Sequence, residues 1–95
     1  MRAILHTDVV VLGRCLLAVG YERRVRLCDE IFDMAHAADK YRKRYGIYHQ
    51  YYGSGSLASA CKDLPKRPEP FLSDQDYAHC MKTIFERVLG GALSI

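Results

Sequence analysis

No stretch of this chain reaches the roughly 18 uninterrupted apolar residues that a membrane helix needs, so no membrane partner is expected. There is no C-x-x-C pair either. Cys15, Cys28, Cys61 and Cys80 are irregularly spaced, which argues against a zinc ribbon or a dithiol redox motif. Neither sign of charge dominates, since 14 Lys and Arg face 11 Asp and Glu for a net charge of +3. The isoelectric point of about 8.7 lies below the value of about 9 that marks a strong nucleic-acid footprint. Proline is scarce, and Pro65, Pro68 and Pro70 all fall within one short segment. Internal repeats and low-complexity tracts are lacking too, which excludes solenoids and disordered tails.

With 95 residues, 49% of them apolar and 26% charged, the composition is that of one ordinary globular domain spanning 1–95. The start, Met1-Arg2-Ala3-Ile4-Leu5 with Val9-Val10-Val11-Leu12 beyond, has the outline of a secretion signal. His6, Asp8 and Arg14 interrupt it and no cleavage site is legible, so a cytoplasmic setting is expected. Cys15, Cys28 and Cys80 fall on apolar helix faces, where a free thiol behaves as a small hydrophobe.

The apolar periodicity predicts an all-α fold, a small antiparallel bundle of three main helices and one short helix. The first helix spans about Asp8 to Val19, with Thr7 as N-cap and Gly20 in the left-handed C′ position. No second strand candidate exists to pair with the Val9–Val11 run. The longest helix runs from about Glu22 to Tyr45 and stops at Gly46. Val25, Cys28, Ile31, Phe32, Ala35 and Ala38 form its buried stripe. A long loop over 46–55 leads to a short helix from Leu57 to Leu64, capped by Ser56 and closed by Pro65. The proline-rich segment 65–70 reads as an extended connector, with Phe71 and Leu72 anchoring it to the core. Ser73 and Asp76 make a capping-box pattern for the last helix, which Gly90-Gly91 ends after Leu89.

The chemistry concentrates between Asp39 and Leu57. Lys40, Arg42, Lys43 and Arg44 mix there with Tyr41, Tyr45, Tyr48, Tyr51 and Tyr52, with His49 and the turn Gly53-Ser54-Gly55-Ser56 behind them. Tyrosine and arginine are the residue types most enriched at binding hot spots. A protein partner or a second copy of the chain is therefore the expected ligand, held by Asp39, Arg42, Tyr45, His49, Tyr51, Tyr52, Gly53, Ser54 and Ser56. Nucleic acid or a nucleotide phosphate is the second reading, using Arg42, Lys43, Arg44, His49 and the Gly53–Ser56 turn at a helix N-terminus. Asp29, Glu30, Asp33 and Asp39 on the same helix dilute the positive field. The plain alternative is that the cations are a solvated helix end and the tyrosines cover the core.

No nucleoside-phosphate motif is present, because the P-loop spacing is missing and no strand precedes the glycine-serine turn. Asp29, Asp33, His36 and Lys40 share one helix face, yet Asp33-x-x-His36 has no counterpart on another helix, so neither a metal nor a cofactor is expected. Cys61, near the start of the short helix, is the best thiol candidate for a lowered pKa, but no base can be assigned to it. Catalysis is not expected.

Two segments carry a family likeness: Ala37-Ala38-Asp39-Lys40-Tyr41-Arg42 with Gly46, His49 and Gly53 to Leu57, and Pro68-Glu69-Pro70-Phe71-Leu72 with Asp76-Tyr77. Together with Ile4-Leu5-His6-Thr7-Asp8-Val9 they make the chain resemble a family of short helical proteins from marine and phototrophic alphaproteobacteria, a domain of unknown function. The resemblance implies a bacterial cytoplasmic origin and a recurrent set Asp39, Arg42, Gly46, His49 and Gly53 around the loop. It implies no activity and no cofactor.

Overall fold

In the computed structural model of the chain, residues 3–93 are described, with side chains through Gly90; the signal-like Met1-Arg2 lies outside them. The chain is all-α. Helix α1 spans His6–Leu17, a 3-10 turn covers Tyr21–Arg23, α2 spans Arg24–Tyr45, α3 spans Leu57–Ala60 and α4 spans Gln75–Leu93. Among the described residues, the extended pairing is a single isolated bridge between His49 and Gly53.

The first helix starts earlier than its periodicity implied, and Thr7 is not its cap. Asp8 decides this, because its Oδ2 accepts from the Leu5 amide at 2.9 Å, so the helix opens after Leu5. Gly20 is not left-handed either, with φ −62°. A glycine cap is dispensable there because the Arg24 side chain supplies a donor to the end of α1, its Nε reaching the Leu16 carbonyl at 3.0 Å. Gly46 does adopt the left-handed conformation, with φ 74° and its amide on the Arg42 carbonyl at 2.8 Å.

Helix α3 is only one turn long. The chain beyond it turns instead, and Lys66 Nζ takes up the carbonyls of Cys61 and Leu64 at 2.8 and 3.1 Å. Ser56 caps it as its position suggests, accepting from the Ser59 amide at 3.1 Å. Asp74 rather than Ser73 caps α4, taking the Tyr77 amide on Oδ1 at 2.9 Å. This helix runs through Gly90-Gly91 to Leu93; a helical glycine costs only about 1 kcal/mol, too little to stop it.

The core lies where α1, α2 and α4 meet, with α3 closing one end against α1 and α2. Leu12, Leu16, Ile31, Leu57, Tyr77 and Ile84 are its largest fully buried apolar side chains, and all four cysteines are buried and free. Two expectations fail on burial. Val25 is exposed, because in the first turn of α2 the inward place belongs to Arg24. Phe71 and Leu72 do not reach the core at all, being 88% and 70% exposed. The connector is held instead by backbone. The Arg67 amide donates to the Arg14 carbonyl at 3.2 Å, and Arg14 Nε donates back to the Arg67 carbonyl at 2.7 Å.

Candidate functional site

The last two turns of α2 and the loop behind them form one aromatic surface. His49 is its hub. Its backbone exchanges two 3.1 Å hydrogen bonds with Gly53, closing a tight turn over 49–53. Its ring Nδ1 accepts from the amides of Tyr51 and Tyr52 at 3.1 and 3.0 Å, which assigns the ring proton to Nε2. The same ring stacks on Tyr52 at 4.4 Å and meets the edge of Tyr41 at 4.9 Å, while Tyr41 packs on Tyr45 at 4.6 Å. Tyr41 and Tyr52 are thus a half-buried floor. Tyr45, Ile47, Tyr48 and Tyr51 stand above it, each more than half exposed at 56%, 60%, 62% and 68%.

The Gly53–Ser56 turn fastens this surface to the fold. Gly55 has φ +103° and lies so close to α2 that a Cβ there would come within 2.9 Å of Asp39 Cβ and 3.0 Å of its Cα. Gly53, at φ +86°, backs onto Ser59 in the same way. The Ser59 hydroxyl then collects the Ser54 amide at 3.1 Å and the hydroxyls of Ser54 and Ser56 at 3.2 and 3.0 Å. Lys62 reaches across to the Gln50 carbonyl at 3.3 Å. The turn is a buried fastening rather than an open cradle.

Several groups needed by the phosphate reading are engaged within the protein. The α3 amides meet internal acceptors, Ser59 N on Ser56 and Ala58 N on Asp8 Oδ1 at 3.2 Å, so a carboxylate from α1 occupies the place an external anion would take. Arg42 and Lys43 both bond the buried carboxylate of Asp39 at 3.0 Å. The Lys43 and Arg42 hydrogen bonds hold that carboxyl well below the usual range. Arg44 lies over the Tyr45 ring at 5.6 Å.

The acidic face of α2 is engaged as well. Arg87 from α4 approaches Asp29 and Asp33, each at 3.3 Å, whereas His36 and Lys40 are exposed further along the helix. Cys61 is fully buried and follows the end of α3 instead of opening it. Its hydrogen bond to Cys15, then its burial, push the thiol up, the opposite of an activated nucleophile. Burial likewise pushes the Cys28 thiol up to about 12.

One polar cluster was missed in the sequence. Arg24, 3% exposed, donates to Asp76 at 2.6 Å and lies 3.4 Å from His79 Nδ1, while Tyr21 stacks on His79 at 4.3 Å. Its signal was present: Arg24 precedes Leu27, Cys28 and Ile31 by three, four and seven residues, a place on the apolar stripe. The hydrogen bond from Arg24 draws the Asp76 carboxyl downward. The cluster ties the start of α2 to α4 and the end of α1 at the opposite end of α2 from the aromatic surface.

No curated protein and no solved structure matches the chain. A family model does match, over residues 2–88 and so over nearly the whole fold, aromatic loop and connector included, and the chain belongs to the family it describes, the domain of unknown function DUF7742.

Proposed function

We propose that the chain is a small non-catalytic interaction module that binds a protein partner, or a second copy of itself, through the aromatic face of residues 41–56. One observation carries this reading: Tyr45 at the end of α2 and Ile47, Tyr48 and Tyr51 on the loop after it are exposed, and the inner side of that loop is tied down through His49, Gly55 and Ser59. A loop backbone held in place before binding loses little freedom on binding, and amphipathic tyrosines suit a surface that is wet in one state and covered in the other. The engaged state of Arg42, Lys43 and the α3 amides favours this reading over a nucleic-acid or nucleotide ligand. A bacterial cytoplasm is the setting, supported by four free cysteines in the core.

The test is site-specific photocrosslinking in the native cell from position 48, with exposed position 82 on α4 as control. A discrete adduct from 48 alone, competed by unlabelled wild-type protein but not by a Tyr48→Ala/Tyr51→Ala variant, is the expected result. Equal labelling from both positions would end the proposal. An amide-resolved NMR titration with a DNA duplex and with ATP, at two salt concentrations, checks the other class. Salt-sensitive shifts clustered at 40–57 would transfer the site to an anionic ligand.

A further inference from the structure

Among the described residues, Phe71 and Leu72 are the two most exposed of the large apolar side chains, at 88% and 70%. They do not sit on a slack loop. Pro68 and Pro70 stiffen the approach, the paired Arg14–Arg67 hydrogen bonds fix it to α1, and the Asp74 amide donates to the Phe71 carbonyl at 3.0 Å on the far side. The result is an apolar knob in a fixed position, flanked by the acids Glu69 and Asp74.

An open hollow lies elsewhere on the molecule. The end of α1, the start of α2 and the turn after α3 enclose a cleft of about 500 Å³ with Val19, Leu27 and Leu64 among its walls. Arg23, Arg26 and Glu30 form its charged rim, two cations against one acid. The knob's own cleft is not its seat, because Phe71 is almost fully exposed.

We propose that the Phe71-Leu72 knob of one molecule docks in this cleft of a second copy of the same chain, with Glu69 set against Arg23 and Arg26. The acids beside the knob favour this basic-rimmed cleft over an anionic lipid surface, which would repel them. The contact joins two different patches, so it is heterologous, and each molecule offers both halves. It uses none of the tyrosines of the aromatic face.

Sedimentation equilibrium tests it. Wild-type mass should rise from 10.8 kDa with concentration below about 1 mM. Phe71→Asp removes the knob and Arg26→Glu reverses part of the rim. Both positions are exposed, so the fold should persist, as circular dichroism would check. Each variant alone should associate at least about tenfold more weakly. An equimolar mixture should form a 1:1 pair, because the Phe71→Asp chain keeps a working cleft and the Arg26→Glu chain a working knob. In a Tyr48→Ala/Tyr51→Ala background, which removes any self-binding through the aromatic face, the knob-and-cleft association and the pairing of the two variants should persist. A wild-type monomer throughout, a mixture that fails to pair, or association abolished by the tyrosine substitutions would each overturn the proposal.

Discussion

At the scale of single residues, two left-handed glycines separate conformation from space. Gly46 has φ +74° and open space within 4 Å of where a Cβ would stand, whereas Gly55 has φ +103° and lies against the Asp39 backbone. Gly46→Ala should therefore cost about 1–2 kcal/mol, the backbone penalty alone. Gly55→Ala adds overpacking against a rigid helix and should cost about 2–4 kcal/mol, read as a shift in urea midpoint. Asp39 gives a second test. Its carboxyl is held low in the folded state, so its contribution is fully present above the unfolded carboxylate value of about 4 and is lost as pH falls through the lower folded value. Asp39→Asn should thus be less stable than wild type at pH 7, with the gap narrowing below about pH 4. A gap that stays constant across that range would mean the carboxylate's charge is not what Arg42 and Lys43 hold. The Asp39–Arg42 pair was legible in the sequence, because three positions on a helix put the two on one face. The approach of Gly55 to Asp39 was not, since backbone proximity across sixteen residues leaves no mark on either residue type.

At the scale of elements, helix existence was readable and helix ends were readable only where a local signal decided them. Gly46 and Ser56 act on neighbours within four residues, and both expectations hold. Thr7, Gly20 and Ser73 were plausible caps by type, but Asp8, Arg24 and Asp74 fill those roles. Arg24 works at a distance of eight residues, and Asp8 also serves α3 fifty residues away, which no local pattern encodes. Asp8 joins the two helix starts: one oxygen takes the Leu5 amide, the other the Ala58 amide, and the residue is 4% exposed. Asp8→Ala would leave two donors without their acceptor and should cost about 2–4 kcal/mol, at about 1–2 for each amide. Hydrogen exchange gives the sharper reading. Protection should fall most at Ala58 and in the loop that α3 anchors, with the middle of α2 affected only through global stability. Equal loss everywhere would show that the joint is not local.

At the scale of the whole molecule, the inside and outside are divided unevenly. Beside its leucines, isoleucines and Tyr77, the interior takes four cysteines and several alanines, while other large apolar side chains such as Phe71, Leu72, Tyr48 and Tyr51 remain outside. Anchoring Phe71 and Leu72 to the core was the natural expectation for apolar residues after a proline run. It fails because the Arg14–Arg67 hydrogen bonds hold the connector to α1 while those side chains stand in solvent. The distribution of thiols makes the cooperativity of this fold measurable. Cys15 sits on α1, Cys28 on α2, Cys61 just after α3 and Cys80 on α4, each no more than 1% exposed. A disulfide-exchange reagent needs contact with sulfur, and burial raises the thiols at Cys28 and Cys80 further from reactivity. If the bundle opens as one unit, all four thiols should react in a single slow phase whose rate tracks global unfolding, accelerating with urea in proportion to the equilibrium slope. Four reporters on four segments would then agree. A fast phase of one thiol, assigned by mass spectrometry to Cys61, would instead mean that α3 and the aromatic loop it fastens open independently. The binding face would then be rigid only part of the time, and the preorganisation on which its proposed role rests would fail.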